Sequence, residues 1–256
     1  MPILINSFGL NGRLRHHGNC GLGNKLFHNF LGRAISLQTG EILVNWLDTK
    51  LNANICEQEI AERPKDHWGY EWPAIKTEEK PTTVVGFDNT LQGVYGDIYH
   101  QNEEVVKLLS KYKSDLVSNF GEKDGVFVHV RLGDLKKDDR LNEVPAYDYY
   151  KYCLSNIPTN NFKVGYIASD SSDDPLVLNL VSEFGLQICQ DTPENTIIFG
   201  SRFNTKILSL GTFSWWIGFI GNQNNVIYPN PSDFRKWHGR IFEPMKNWNN
   251  VNKPYE

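Results

Sequence analysis

Cysteine is scarce in this sequence, with four among 256 residues, and Cys20, Cys56, Cys153 and Cys189 lie far apart. That spacing excludes both the close pairs of a thiolate metal site and the density of a small disulfide scaffold, so free thiols in a reducing compartment are expected. Long apolar runs are also missing. The longest patch, Phe213 to Ile220, falls well short of the roughly 20 residues that cross a bilayer. No secretory leader is visible, because Met1-Pro2-Ile3-Leu4-Ile5-Asn6 reads as a first strand. A cytoplasmic protein is the expectation, and a lost Golgi anchor is the alternative. No single sign of charge dominates. With a formal net charge of -4 and scattered lysines and arginines, the chain lacks the cationic stripe that binds nucleic acid by counterion release. An Asp-X-Asp loop is absent as well. Asp138-Asp139 and Asp173-Asp174 are adjacent acids that read as solvated or helix-starting residues, so no metal ligand and no cofactor is assigned.

What is present is enough apolar sequence, 40%, for one sizeable core or two compact lobes. Aromatic residues make up 12%, including seven tryptophans; these suit either core filling or stacking on the apolar faces of sugars. Ile3 to Asn6 has a strand pattern, followed by a glycine-rich loop. From Lys25 to Gln38, Leu26, Phe27, Phe30, Leu31, Ala34 and Ile35 share a helical face, and Ile42 to Trp46 reads as another strand. Such a βαβ unit predicts a parallel sheet whose ligands gather at the carboxyl ends of the strands. Thr49 to Lys80 reads as a long excursion or lid, Thr82 to Phe87 as a strand and Glu103 to Phe120 as a helix. The polar segment Gly121 to Gly125 then reads as a linker. A second alternating series follows: strand Val126 to Arg131, helix Ala146 to Ile157, strand Lys163 to Ala168, helix Pro175 to Phe184 and strand Leu186 to Cys189. It continues with helix Thr196 to Phe203, strand Lys206 to Leu210, a helix opening near Thr212, and strand Val226 to Tyr228. The expectation is an α/β protein with two Rossmann-like halves, residues 1–122 and 123–256, facing across a cleft.

Four constellations could carry chemistry. Gly18-Asn19-Cys20-Gly21-Leu22-Gly23-Asn24 is either a tight turn or a loop that approaches an anion or sugar hydroxyl at a helix amino terminus. It lacks the full spacing of a dinucleotide or Walker-type loop. His129-Val130-Arg131-Leu132-Gly133-Asp134 leaves a strand with His129 and Arg131 on one face. Arg131 can grip two phosphate oxygens and so replace a metal where pyrophosphate departs, or can simply pair with Asp134. Ser169-Asp170 ends another strand, with Asp170 either on a base or ribose or in a helix cap. Gly211-Thr212-Phe213-Ser214-Trp215-Trp216 opens a helix whose hydroxyls and amides suit phosphate.

In this order the four pieces resemble the inverting α1,2-fucosyltransferases of glycosyltransferase family 11, and more distantly the α1,6- and protein O-fucosyltransferases. The family's Gly-X-Gly-Asn loop is matched by Gly21, Gly23 and Asn24, and its His-X-Arg-X-Gly-Asp by His129, Arg131, Gly133 and Asp134. Its Ser-Asp is matched by Ser169-Asp170, and its Ser/Gly-Ser/Thr-Phe-X-X-Trp by Gly211, Thr212, Phe213 and Trp216. The similarity spans most of the chain, though Thr49 to Lys80 is left unassigned. Lys25 and Leu132 depart from the family's usual Gln and second Arg, which leaves pyrophosphate to Arg131. The resemblance implies a GT-B fold, GDP-fucose as donor held by the second half, a galactose-containing glycan as acceptor, and no metal. It further implies donor contacts from His129, Arg131, Asp170, Thr212, Phe213 and Ser214, with Gly23 and Asn24 lining the cleft. The carboxylate that takes the acceptor's proton is Asp134, Glu143 or an acid of the first half. The competing readings are an inert nucleotide-sugar or glycan-binding protein, and a same-fold transferase with another donor or a protein acceptor.

Overall fold

The computed structural model describes residues 3–6, 8–10, 13–15, 21–39, 42–45, 83–85, 94–95, 103–116, 119–137, 139–158, 164–222, 224–234 and 244–253. The chain divides into two compact units, Met1–Ser118 and Asn119–Glu256. The excursion read over Thr49 to Lys80 and the loop residues Gly18 to Cys20 lie outside the described residues.

In the first unit, β1 (Ile3–Asn6) is followed by the antiparallel pair β2 (Phe8–Leu10) and β3 (Arg13–Arg15), then α1 (Leu22–Thr39), β4 (Ile42–Asn45), β5 (Thr83–Val85) and β6 (Val94–Tyr95). Strands β4-β1-β5-β6 form a parallel sheet in that order. Leu26, Phe27, Phe30, Leu31 and Ala34 recur at helical spacing on α1 and are all buried, which is why this segment is a helix. It opens three residues earlier than the apolar pattern alone suggests. Gly23 and Asn24 therefore stand in its first turn instead of in a free loop, with the Asn24 amide donating to the Gly21 carbonyl at 3.0 Å. The helix expected to run from Glu103 to Phe120 is broken at Tyr112 into α2 (Glu103–Lys111) and the single turn α3 (Lys113–Leu116).

The second unit is a doubly wound layer structure. Its elements are β7 (Lys123–Val130), α4 (Gly133–Lys137), α5 (Tyr147–Ser155), β8 (Gly165–Ser169), α6 (Pro175–Phe184), β9 (Gln187–Ile188) and α7 (Pro193–Ser201). They continue with β10 (Phe203–Ile207), α8 (Thr212–Ile220), β11 (Val226–Pro229) and β12 (Asn249–Val251). All six strands are parallel, in the order β12-β11-β10-β7-β8-β9. The first strand of the unit thus lies centrally, the next two to one side and the last three to the other. This is the order of a Rossmann-like sheet, whose crevice opens beyond the carboxyl ends of β7 and β10.

Alternation along β7 assigns its side chains to two layers. Val126, Val128 and Val130 join Ile207, Tyr149, Tyr150, Leu154, Val177 and Leu180 in a core under α5 and α6. On the opposite face Phe127 meets Phe199 and Phe203, with ring centroids 6.1 and 5.8 Å away. Both helices that start with proline use it in their first turn, where its missing amide hydrogen costs nothing. Asp174 caps α6 through the Leu176 amide, and Thr192 caps α7 through the Asn195 amide.

Two strands are displaced from their sequence pattern for identifiable reasons. β7 begins at Lys123, inside the polar segment read as a linker, because Gly125 at φ 126° forms a bulge opposite β10. A methyl there would lie 2.2 Å from the Val164 carbonyl oxygen. β10 begins at Phe203 and carries a fully buried Lys206, whose ammonium donates to the carbonyls of Phe203 (2.6 Å) and Asn222 (2.7 Å). These charge-assisted bonds let a cation occupy a strand interior. Trp215, Trp216 and Trp248 are all buried, so these three rings are core rather than sugar platforms. Among the described residues, no helix is long and apolar enough to cross a membrane.

Candidate functional site

The strand order brings two of the sequence constellations together, because β7 and β10 are parallel neighbours whose carboxyl ends lie side by side where the strand order reverses. β7 delivers His129 on its last turn of pleat and Arg131 one residue beyond the ladder. The segment after β10 delivers Gly211 and the first turn of α8.

Arg131 is a half-buried cation of this site. Its side chain retains 30% of its accessible surface, and Nη2 donates to both oxygens of Asp134, at 3.2 and 3.4 Å. Its other terminal nitrogen lies on Gly211, so closely that a methyl there would stand 2.5 Å from Nη1. Gly211 is the N-cap of α8 and sits at φ 118° and ψ 163°, a conformation that favours glycine. The absent side chain has two effects: the guanidinium can rest against the helix start, and no cap from this residue covers the first amides. A helix amino terminus does not satisfy its own first amide hydrogens and carries positive partial charge. Guanidinium and helix start therefore act on the same small region, and an anion placed there would meet both.

His129 supports that region from below. Only 7% of it is exposed; its Nδ1 lies 2.6 Å from the Ser214 hydroxyl and its ring stacks on Phe213 at 4.9 Å and 24°. Burial pushes the imidazole down to about 4; Asp170 acts against that shift and Arg131 adds to it. The ring is thus neutral at ordinary pH. The Ser214 hydroxyl is buried with it, leaving Thr212 and Phe213 as the half-buried residues of the helix start.

Asp170 follows β8 and has a different geometry from a residue projecting freely into the crevice. Its Oδ1 accepts the amides of Leu132 (2.8 Å) and Gly133 (3.0 Å). Its Oδ2 lies where a methyl on Gly133 would be, at 2.6 Å. The carboxylate therefore holds the turn that carries Arg131 and Asp134. Leu132 itself is buried. Glu143, buried, receives both Nε (3.0 Å) and Nη2 (2.5 Å) of Arg140, while Asp134 is 60% exposed at the crevice. Gly23 and Asn24 belong to the first unit, in the opening turn of α1.

Sequence reasoning missed the contact between Gly211 and Arg131 and the double amide bond of Asp170. A glycine standing between a strand and a helix start was the available signal for the first. The second had none, since 38 positions separate Leu132 from Asp170. Among the described residues, no group of three His, Cys, Asp or Glu is placed to hold a metal ion.

The fold defines an α/β unit built on a six-stranded parallel sheet in Rossmann-like order, with Arg131 and the start of α8 at its switch point. Comparison with protein-family models, with curated proteins and with solved structures finds no match.

Proposed function

We propose that the chain is an inverting, GT-B-type fucosyltransferase that moves L-fucose from GDP-fucose to a hydroxyl of a galactose-containing glycan, the 2-OH of galactose, without a metal. The observation that carries this reading is the convergence of Arg131 and the α8 start at the crevice beyond β7 and β10. Loss of GDP from a sugar adds a negative charge to the already dianionic diphosphate, and fixed donors aimed at that charge can take the place of a cation. In the proposed step the acceptor oxygen attacks fucose C1 on the face opposite GDP, the C1–O bond to the β-phosphate breaks, and GDP leaves. Asp134 takes the hydroxyl proton. Thr212 and Phe213 contribute amides to the phosphates, and the resemblance to family 11 motifs supplies the choice of fucose.

The test is release of GDP from GDP-fucose with a galactoside acceptor and EDTA present. Turnover should persist in chelator and fall at least about 100-fold in Arg131→Ala. Near-normal turnover in that variant would remove Arg131 from this role. The Arg131–Asp134 ion pair favours a second reading, a protein that binds the nucleotide sugar without turning it over, because the carboxylate proposed as base is already engaged by the guanidinium. Calorimetric binding of GDP-fucose with no GDP released across a galactoside panel would establish that alternative.

A further inference from the structure

We infer that His129 is a positioning residue, which through Ser214 and Phe213 clamps the first turn of α8 to the end of β7 and so sets the geometry in which a diphosphate is held. This rests on the reading of the crevice given above and extends it to a buried group behind the start of α8. The amides at the start of α8 can serve an anion only if the helix is fixed relative to Arg131, and Gly211, with no side chain, cannot fix it. His129 makes two contacts that can. Its Nδ1 meets the Ser214 hydroxyl at 2.6 Å, and its ring lies over Phe213 at 4.9 Å. Both partners belong to the first turn, and Ser214 is as completely buried as the sheet beneath it. Because Arg131 follows His129 by two residues, one beyond the end of β7, one continuous segment carries both the clamp and the cation.

The two contacts can be separated by substitution. His129→Phe keeps a ring over Phe213 and removes Nδ1; His129→Asn keeps a polar atom near the Nδ1 position and removes the ring. Ser214→Ala deletes the other partner. GDP affinity, measured by titration calorimetry, should weaken about tenfold in His129→Phe and in Ser214→Ala, and the double variant should be no weaker than either, as expected for partners in one interaction. His129→Asn should recover most of the loss. In the ligand-free protein, the amides of residues 212–214 should exchange faster in His129→Phe and return toward the unaltered rate in His129→Asn. Unchanged affinity in His129→Phe, or losses that multiply in the double variant, would overturn the clamp. Failure of GDP to bind the unaltered protein would remove the functional reading alone, and exchange at residues 212–214, which needs no ligand, would still uphold or overturn the clamp.

Discussion

An imidazole enclosed between a sheet and a helix loses the water that stabilises its charged form, and His129 is held at about 4 against an ordinary 6.5 for this reason. The sign of the consequence follows from which state binds the proton first. As pH falls through 6.5 the unfolded chain protonates at this position while the folded protein does not, so folding loses stability. The loss grows until about pH 4, where the native ring protonates too. The full difference is about 3 kcal/mol, of which roughly 2 to 3 are lost between pH 7.5 and 4.5. His129→Asn carries no such proton. Urea unfolding at those two pH values should therefore show the unaltered protein losing about 2 to 3 kcal/mol more than this variant. Equal losses would mean that the ring is hydrated in solution. The neighbours that modulate the shift, Asp170 upward and Arg131 downward, act on this ring in the unaltered protein alone, so their effect is contained in the difference.

At the scale of elements, the junction between β10 and α8 depends on one glycine for two separate reasons. Gly211 adopts φ 118°, and its Cα faces Arg131 Nη1. Alanine there should lower stability by about 1 to 3 kcal/mol through backbone strain and should also displace the guanidinium. Gly185, the C-cap of α6, separates these effects, since it has φ 64° and no atom within 4 Å of a methyl. Gly185→Ala should lower Tm and leave GDP affinity unchanged, whereas Gly211→Ala should lower Tm and weaken GDP at least tenfold. Loss of affinity confined to neither variant would detach Gly211 from the site. The same junction shows what could be read from sequence. α6 was legible to the residue because Asp174-Pro175 and Gly185 punctuate both ends, and α8 was legible from Gly-Thr before an apolar run. β10 was misplaced by three residues because Phe203 was read as the end of the preceding helix, which closes at Ser201 instead. β12 was missed because Asn249-Asn250-Val251 has no apolar alternation. Asp170 could be read as an acid at a strand end, but its partners lie in a turn distant in sequence, and only the pairing of β7 with β8 brings them within reach.

For the whole molecule, the question is whether the second unit is a self-sufficient body. Asn119–Glu256 contains an entire six-stranded sheet, helices on both faces and a continuous apolar core. Its N-terminal edge is closed internally, with the Asn222 amide donating to Glu122 (2.8 Å) and the Asn204 amide to Asp124 (2.8 Å). A unit of this size with its own core is expected to unfold as one cooperative transition. His129, Arg131, Asp134, Asp170 and α8 all lie within it. Expressed alone, the segment should therefore melt cooperatively and bind GDP within about threefold of the full chain, a difference of roughly 0.65 kcal/mol. It should not transfer fucose, because Gly23, Asn24 and the rest of the proposed acceptor side are missing. Circular dichroism, GDP titration and the GDP-release assay on the fragment check these outcomes in turn. A folded fragment that fails to bind GDP while the full chain binds it would show that the first unit supplies part of the nucleotide site, and the assignment of the donor to the β7–β10 crevice would then have to be abandoned.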